Sequence, residues 1–409
     1  MRYLPVATTV ILLAITVTAA LLTPDRPANL NKVSPFYVGV SFCGNTSAEA
    51  KLLIDKVKPY TNLFVLQSFP ISRNETAIYE ILDYATAQGL YIIINLTTYN
   101  KTYWPMQFPI FQNAQSRWGD KFLGAYYGDE PGGMQLDYNW TAFFEEFGYH
   151  LGNASATTLN PMYAKFEESK INGTKPSDYS LETQNYLDLY KLDIGFANLT
   201  STGIKTFVSD YALYWFDYLA GYDVIFTQFG SNSSYVQNID LIRGAARLQN
   251  KDWGAIITWK YTQPPYLDTG DAIYRQMITA YQAGAKYVIL FDYPYVEGGN
   301  PYGVLQDEHF YALERFSNDV MAASKMMTLS GDSIADAVLV LPANYGWGMR
   351  SQNDTIWGFW EPDAKSTQVW SSTRLLLFQY GIHLDIVYDD PAFPVTGKYE
   401  HVYFWNQTS

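Results

Sequence analysis

The 409 residues carry a formal charge of −13 and an isoelectric point near 4.7, with 48% hydrophobic and only 16% charged positions. No Lys/Arg cluster occurs, which argues against nucleic acid as a partner, because phosphate binding needs a basic stripe. Cys43 is the only cysteine, so no intrachain disulfide can form, and a chain this long can bury enough core to fold without one.

At the N-terminus Arg2 precedes an uncharged apolar run, Leu4 to Leu22, that ends in small residues and the breaker Thr23-Pro24. This is the pattern of a signal peptide or a signal anchor over residues 1–24, since the run is also nearly long enough to span ~30 Å of hydrocarbon and so to anchor the chain in a membrane. Asn-x-Ser/Thr sequons stand at Asn45, Asn74, Asn95, Asn100, Asn139, Asn153, Asn172, Asn198, Asn232, Asn353 and Asn406, half of all asparagines, where chance would give about three. Both features predict an exported, glycosylated protein, extracellular or at the cell surface.

From Phe36 the chain alternates short β-rich runs with helical patterns, the mark of repeated βα units. The predicted strands are Phe36 to Phe42, Leu63 to Gln67, Tyr91 to Leu96, Phe122 to Gly128, Thr206 to Asp210, Asp223 to Phe229, Ala255 to Lys260 and Tyr287 to Asp292. Helices are predicted at Ala48 to Lys58, Thr76 to Gln88, Val236 to Gln249, Asp271 to Ala283 and Gln306 to Ser324. Eight such units predict an α/β fold with a (β/α)8 TIM barrel over residues 25–329. The longest connection, Pro131 to Lys205, is expected to wall the barrel mouth and supply the fourth helix.

Beyond Ser330 the pattern restarts: strands at Ala337 to Leu341, Leu384 to Tyr388 and Glu400 to Trp405, with a helix at Thr367 to Tyr380. Residues 330–409 are therefore expected to form a smaller flavodoxin-like or Rossmann-like α/β domain, and its end straight after a strand is the pattern of a truncated one. The aromatic stretch Tyr345 to Trp360 suits either a rim of the barrel mouth or a domain interface.

Barrel chemistry sits at the C-terminal strand ends. The residues there are Asn45, Gln67, Asn95, the segment Tyr126 to Gly133 with Tyr127, Asp129 and Glu130, then Asp210, Tyr211, Gln228, Trp259, Lys260, Tyr261, Asp292 and Tyr293. Carboxylates beside flat aromatic faces suit glycosidic-bond cleavage: one protonates the leaving oxygen, another activates water or attacks, and rings stack on sugar C–H faces. The four histidines, His150, His309, His383 and His401, show no ligand spacing, and neither a metal nor a cofactor is expected.

At Gly128-Asp129-Glu130-Pro131 the sequence resembles glycoside hydrolases of the TIM-barrel type, many of which carry Asp-Glu-Pro or Asn-Glu-Pro at the end of strand four. The resemblance spans Phe36 to Lys325 and implies that Glu130 is the general acid/base; more loosely, an α/β domain follows the barrel in some β-galactosidase-like enzymes. One departure matters. Retaining enzymes of this kind carry a second Glu at the end of strand seven, whereas this strand ends Thr258-Trp259-Lys260-Tyr261, and Glu297 lies in a loop. Either Asp210 or Asp292 takes the partner role, or the barrel binds sugar without cleaving it. The expectation is a hydrolase of an extracellular polysaccharide or glycoprotein glycan; the alternative is a catalytically silent carbohydrate-binding or structural cell-surface barrel.

Overall fold

The structure, a computed structural model, describes residues 35–96, 102–137, 178–230, 234–293, 301, 303–326 and 335–407. The signal or anchor segment, the sequons at Asn100, Asn139, Asn153, Asn172 and Asn232, and Glu297 lie outside the described residues. Among the described residues no helix is long and apolar enough to cross a membrane.

Eight parallel strands close on themselves in sequence order: β1 (Tyr37–Phe42), β2 (Leu63–Leu66), β3 (Tyr91–Ile94), β4 (Phe122–Tyr126), β5 (Thr206–Asp210), β6 (Val224–Phe229), β7 (Asp252–Ile257) and β8 (Tyr287–Asp292). Closure pairs β1 with β8 from Tyr37↔Tyr287 to Phe42↔Asp292. Strand seven corrects its prediction. It starts at Asp252 rather than Ala255 and ends at Ile257, so Trp259, Lys260 and Tyr261 belong to the loop that follows. The polar start and Gly254 resemble a turn, but Asp252 pairs with Val224 and Gly254 packs where a Cβ would strike Tyr287 and Phe226.

The intervening helices are α1 (Ser47–Val57), α2 (Glu75–Ala87), α3 (Trp104–Trp118), α4 (Pro131–Asp137), α5 (Ser180–Leu192), α6 (Ile194–Ser201), α7 (Tyr214–Ala220), α8 (Tyr235–Leu248), α9 (Gly270–Gln282) and α10 (Asp307–Met326). Their starts are set by local chemistry: Thr46 and Glu49 form a capping box on α1, and Asn74, Ser234 and Thr269 cap α2, α8 and α9.

Successive strand side chains alternate between the barrel interior and the helix layer. Tyr37, Leu63, Val65, Ile93, Tyr126, Phe207, Val224, Phe226, Ile256, Tyr287 and Ile289 form one inner cluster, separate from the larger cluster under the helices. Its rings interlock, with Tyr37 stacked on Tyr287 at 4.9 Å and Phe207 on Phe226 at 5.7 Å. The barrel is thus plugged below its C-terminal mouth.

The C-terminal segment forms a parallel sheet, β9 (Ala337–Leu341), β10 (Leu384–Tyr388) and β11 (His401–Phe404), in the order β10-β9-β11, with one helix, α11 (Ala364–Tyr380). It belongs to the same compact unit as the barrel, Phe36–Ser409. The aromatic stretch is an interface: Trp357 is fully buried, 4.7 Å from the Phe216 ring and 5.6 Å from that of Tyr186, and Gln135 Nε2 donates to its carbonyl at 2.9 Å.

The contact is pinned by a buried ion pair. Arg243 of α8 donates through Nε to Asp385 Oδ1 at 2.7 Å and through Nη2 to the Leu384 carbonyl at 2.7 Å, while Tyr399 donates to Asp385 Oδ2 at 2.7 Å. Gly244 lets the sheet come this close, since a Cβ there would lie 2.9 Å from the Ile386 carbonyl oxygen. Removing one partner strands a buried charge, so Arg243→Ala and Asp385→Ala should each cost about 3 to 5 kcal/mol in chemical denaturation. Arg243→Met with Asp385→Leu and Asp240→Leu, which also removes the buried carboxyl that Arg243 Nη2 contacts at 3.4 Å, should cost distinctly less than either single change.

Candidate active site

Counting by two from the interior plug gives the next inward positions: Gln67 above Val65, Ser209 above Phe207, Gln228 above Phe226, Thr258 above Ile256 and Phe291 above Ile289. All five line a cavity of about 510 Å³ in the barrel mouth, a size that suits a small ligand. One step further up, Tyr211, Gly230 and Tyr293 line it too. Trp259 completes one wall, its ring 4.7 Å from Tyr293, which in turn stacks on Phe291 at 6.0 Å. Trp259 is 40% exposed, so a flat aromatic face is open to the cavity.

Opposite this wall lies the turn after β4. Strands β4 and β5 share only the pairs Ala125↔Thr206 and Tyr126↔Phe207, and above them Glu130 N–H donates to the Ser209 carbonyl at 2.9 Å. Glu130 takes a left-handed backbone, φ 47°, unusual for a residue with a Cβ. That reversal brings two consecutive carboxyl groups, Asp129 and Glu130, into one cavity. Pro131, Gly132 and Gly133 then open α4. A Cβ at Gly133 would overlap the Tyr211 ring at 2.1 Å, so the glycines are what let β5 close over the turn.

The two carboxyls have distinct surroundings. Ser209 Oγ donates to Asp129 Oδ1 at 3.2 Å, and the Tyr126 hydroxyl donates to the same oxygen at 2.9 Å. Gln228 Nε2 donates to Glu130 Oε1 at 2.7 Å and to Ser209 Oγ at 3.1 Å. Burial raises the pKa of Glu130, the Gln228 hydrogen bond partly offsets this, and the charge of Asp137 adds to the rise. Burial also raises Asp129, with the Glu130 charge as the second cause.

A third element enters from the C-terminal segment. Arg350 lines the cavity, with Nε and Nη2 forked on Asp354 at 2.9 and 2.7 Å and Nη1 donating to Asp137 Oδ1 at 2.6 Å. Tyr211 donates to Asp137 Oδ2. Sequence reasoning passed over Arg350, Asp137, Ser209, Thr258 and Phe291. Stepping by two from the apolar strand centres would have found Ser209, Thr258 and Phe291; Arg350 lies over 200 residues from Glu130 and leaves no such trace.

Of the residues predicted at the strand ends, Gln67, Asp129, Glu130, Tyr211, Gln228, Trp259 and Tyr293 converge on the cavity, and the other predicted site residues do not. Asp210, Asp292 and Tyr127 occupy the alternate strand face, one position from an inward residue. Asp210 is fully buried and accepts the amides of Gly132, Gly133, Tyr211 and Ala212, so it caps α4 from another strand and is not a cavity carboxylate. Asp292 is fully buried and accepts the Leu305 amide at 3.1 Å. Tyr127 donates to Asp193 beneath α6. Asn95 is 6% exposed and lies outside the cavity lining, and Asn45 is exposed beside the start of α1. Lys260 is drawn into the loop by Asp268, at 2.9 and 3.0 Å, with Tyr261 beside it.

No protein-family model matches the chain, and no curated protein matches it in sequence. Among solved structures it is similar to Gas2p of Saccharomyces cerevisiae in complex with laminaritetraose and laminaripentaose, at 13% identity, covering 69% of this chain and 63% of that one, TM-score 0.36. It is similar to a GH128 endo-β-1,3-glucanase from Amycolatopsis mediterranei in complex with laminaritriose, at 12% identity, 69% and 99% coverage and TM-score 0.36. It is similar, too, to a truncated 3-deoxy-D-arabino-heptulosonate 7-phosphate synthase from Thermotoga maritima, at 9% identity, 72% and 88% coverage and TM-score 0.36. The chain spans less than two thirds of the yeast protein's length. At these identities and TM-scores the likeness carries no functional conclusion, and function is read from the site.

The buried carboxyls leave a thermodynamic signature. Burial lifts Asp210 to about 7 and Asp292 to about 8, from an ordinary value of 3.8. A raised carboxyl holds its proton in the folded state after the unfolded chain has released it, so its contribution is full at low pH and lost as pH rises through the folded value. Between pH 6.5 and 8.5 these two groups should together remove on the order of 2 to 3 kcal/mol of stability, most of it through Asp292, so calorimetry should find the pH slope of Asp292→Asn shallower than that of the wild type by on the order of 1 kcal/mol per pH unit.

Proposed function

We propose that this barrel cleaves glycosidic bonds in its mouth, with Glu130 as the general acid/base. The observation that carries the reading is Glu130 itself: a half-buried carboxyl with a raised pKa, held by Gln228, in a cavity that also exposes the Trp259 ring. A raised pKa holds the proton to higher pH, which is what a group protonating a glycosidic oxygen needs, and an aromatic face is what a sugar stacks on. Gln228 fixes one carboxyl oxygen and leaves the other to meet the leaving group.

Export is part of the same proposal, resting on the N-terminal apolar run and the sequons. The substrate class is an extracellular polysaccharide or glycoprotein glycan. The C-terminal order β10-β9-β11, second strand beside first beside third, supports reading that sheet as the start of a flavodoxin-like layer.

Screening against polysaccharides and 4-nitrophenyl glycosides should reveal hydrolysis, and Glu130→Gln should lower the rate on poor leaving groups by on the order of 10² to 10⁴ while binding survives. Undiminished hydrolysis by Glu130→Gln would remove this residue from the mechanism. Binding with no cleavage by wild type would favour the silent carbohydrate-binding barrel. Glycan mapping of the exported protein should find Asn95 bare, because its side chain is buried, and Asn74, Asn353 and Asn406 open to modification. Asn45, exposed and outside the cavity lining, is open as well.

A further inference from the structure

If Glu130 donates the proton, a second carboxylate must activate the attacking water or form a covalent intermediate. Among the described residues, the carboxylates lining the cavity are Asp129, Glu130 and Asp137. Asp129 is adjacent in sequence to the acid, and one of its oxygens is tied to Ser209 and Tyr126 at the cavity floor. Asp137 stands at the far end of α4, seven positions after Glu130. The Glu130 carbonyl accepts the first helical bond of α4, from the Met134 amide at 2.8 Å, so seven residues of helical rise place the two Cα atoms about 10 Å apart, and both side chains line the cavity. A backbone spacing of that size leaves room for a sugar and a water between the carboxyls.

We propose that Asp137 is the general base of an inverting hydrolysis and that Arg350, from the C-terminal segment, is its positioning residue. The proposal rests on the glycosidase reading above and supplies the carboxylate that the end of strand seven lacks. Asp137 receives Arg350 Nη1 on Oδ1 at 2.6 Å and the Tyr211 hydroxyl on Oδ2. Each oxygen keeps a second lone pair for water. The guanidinium is itself fixed by the two-pronged contact with Asp354, whose side chain is buried, and lies 5.7 Å over the Tyr211 ring. Arg350 and Tyr211 therefore fix the carboxylate from two sides, which a lone exposed Asp at a helix end would not achieve.

The step balances with water as the only co-reactant. Water attacks the anomeric carbon and gives a proton to Asp137; the bond from that carbon to the glycosidic oxygen breaks; the oxygen takes the Glu130 proton. Two hydroxyl-bearing products leave, and solvent returns a proton from Asp137 to Glu130.

The test uses the full chain with α- and β-fluorides and 4-nitrophenyl glycosides of glucose, galactose and mannose, and with a polysaccharide cleaved in the screen. Fluoride leaves with little protonation, so Glu130→Gln should be largely spared on fluorides, whereas Asp137→Asn should lose on the order of 10² to 10⁴ in kcat on fluorides and nitrophenyl glycosides alike. Product followed by proton NMR should appear with inverted configuration. Arg350→Met should lower kcat at least about tenfold with KM little changed, and Arg350→Lys should recover part of the loss. Azide should restore turnover to Asp137→Ala as an inverted glycosyl azide, a readout that a merely structural residue would not give. Retained configuration, or wild-type rates in Asp137→Asn while Glu130→Gln is impaired, would overturn this proposal and leave the glycosidase reading standing. Wild-type rates in Glu130→Gln on the polysaccharide, whose leaving oxygen needs the proton, would overturn that reading and this proposal together.

Discussion

The alternation of side chains along a closed parallel barrel governs everything else in this molecule. Once β8 pairs with β1 from Tyr37↔Tyr287 onward, each strand has one face inside and one under the helices, and a shift of one residue exchanges them. Ser209 therefore reaches the cavity while Asp210 does not, and Phe291 does while Asp292 does not. The interior plug of Tyr37, Phe207, Phe226 and Tyr287 fills the barrel beneath, so the only concave polar surface left among these strands is the ring two and four residues above it.

Within that ring the β4 turn is an exception with a purpose. Consecutive carboxyls on a regular strand would face opposite ways, but the left-handed Glu130 backbone directs both Asp129 and Glu130 inward. Such a conformation persists only where neighbours enforce it. Here Asp210 caps the amides of Gly132 and Gly133, and Ser209 accepts the Glu130 amide. The buried Asp210 carboxyl, with its raised pKa, is thus part of the scaffold of the turn.

The C-terminal segment is joined to this site by more than proximity. Arg243 and Asp385 pin the sheet to α8, Trp357 packs on α7 and α5, and from the same segment Arg350 reaches into the mouth. A rigid attachment has a functional consequence, because a guanidinium can orient Asp137 only if its own base does not drift relative to the barrel.

Eight strands, their order and a parallel closure were legible in the sequence, because period-2 and period-3.6 hydrophobic patterns record local burial. Seven strand positions agree closely with their predictions; β7 was misplaced because its polar, glycine-containing start reads as a turn until its neighbours are known. The Asp129-Glu130-Pro131 turn was legible for a similar reason, since proline and the paired glycines after it constrain the backbone locally. Which strand-end residues face the mouth was only half legible: the alternation was available, but Asp210, Asp292 and Tyr127 attract attention by their chemistry and lie one residue off the inward phase. The junction of Arg350, Asp137 and Tyr211 was not legible at all, because it joins three segments across the fold, and charge pairing at such a distance leaves no periodicity. Local sequence therefore determined the barrel and the acidic turn, and only tertiary packing decided which groups share the cavity with it.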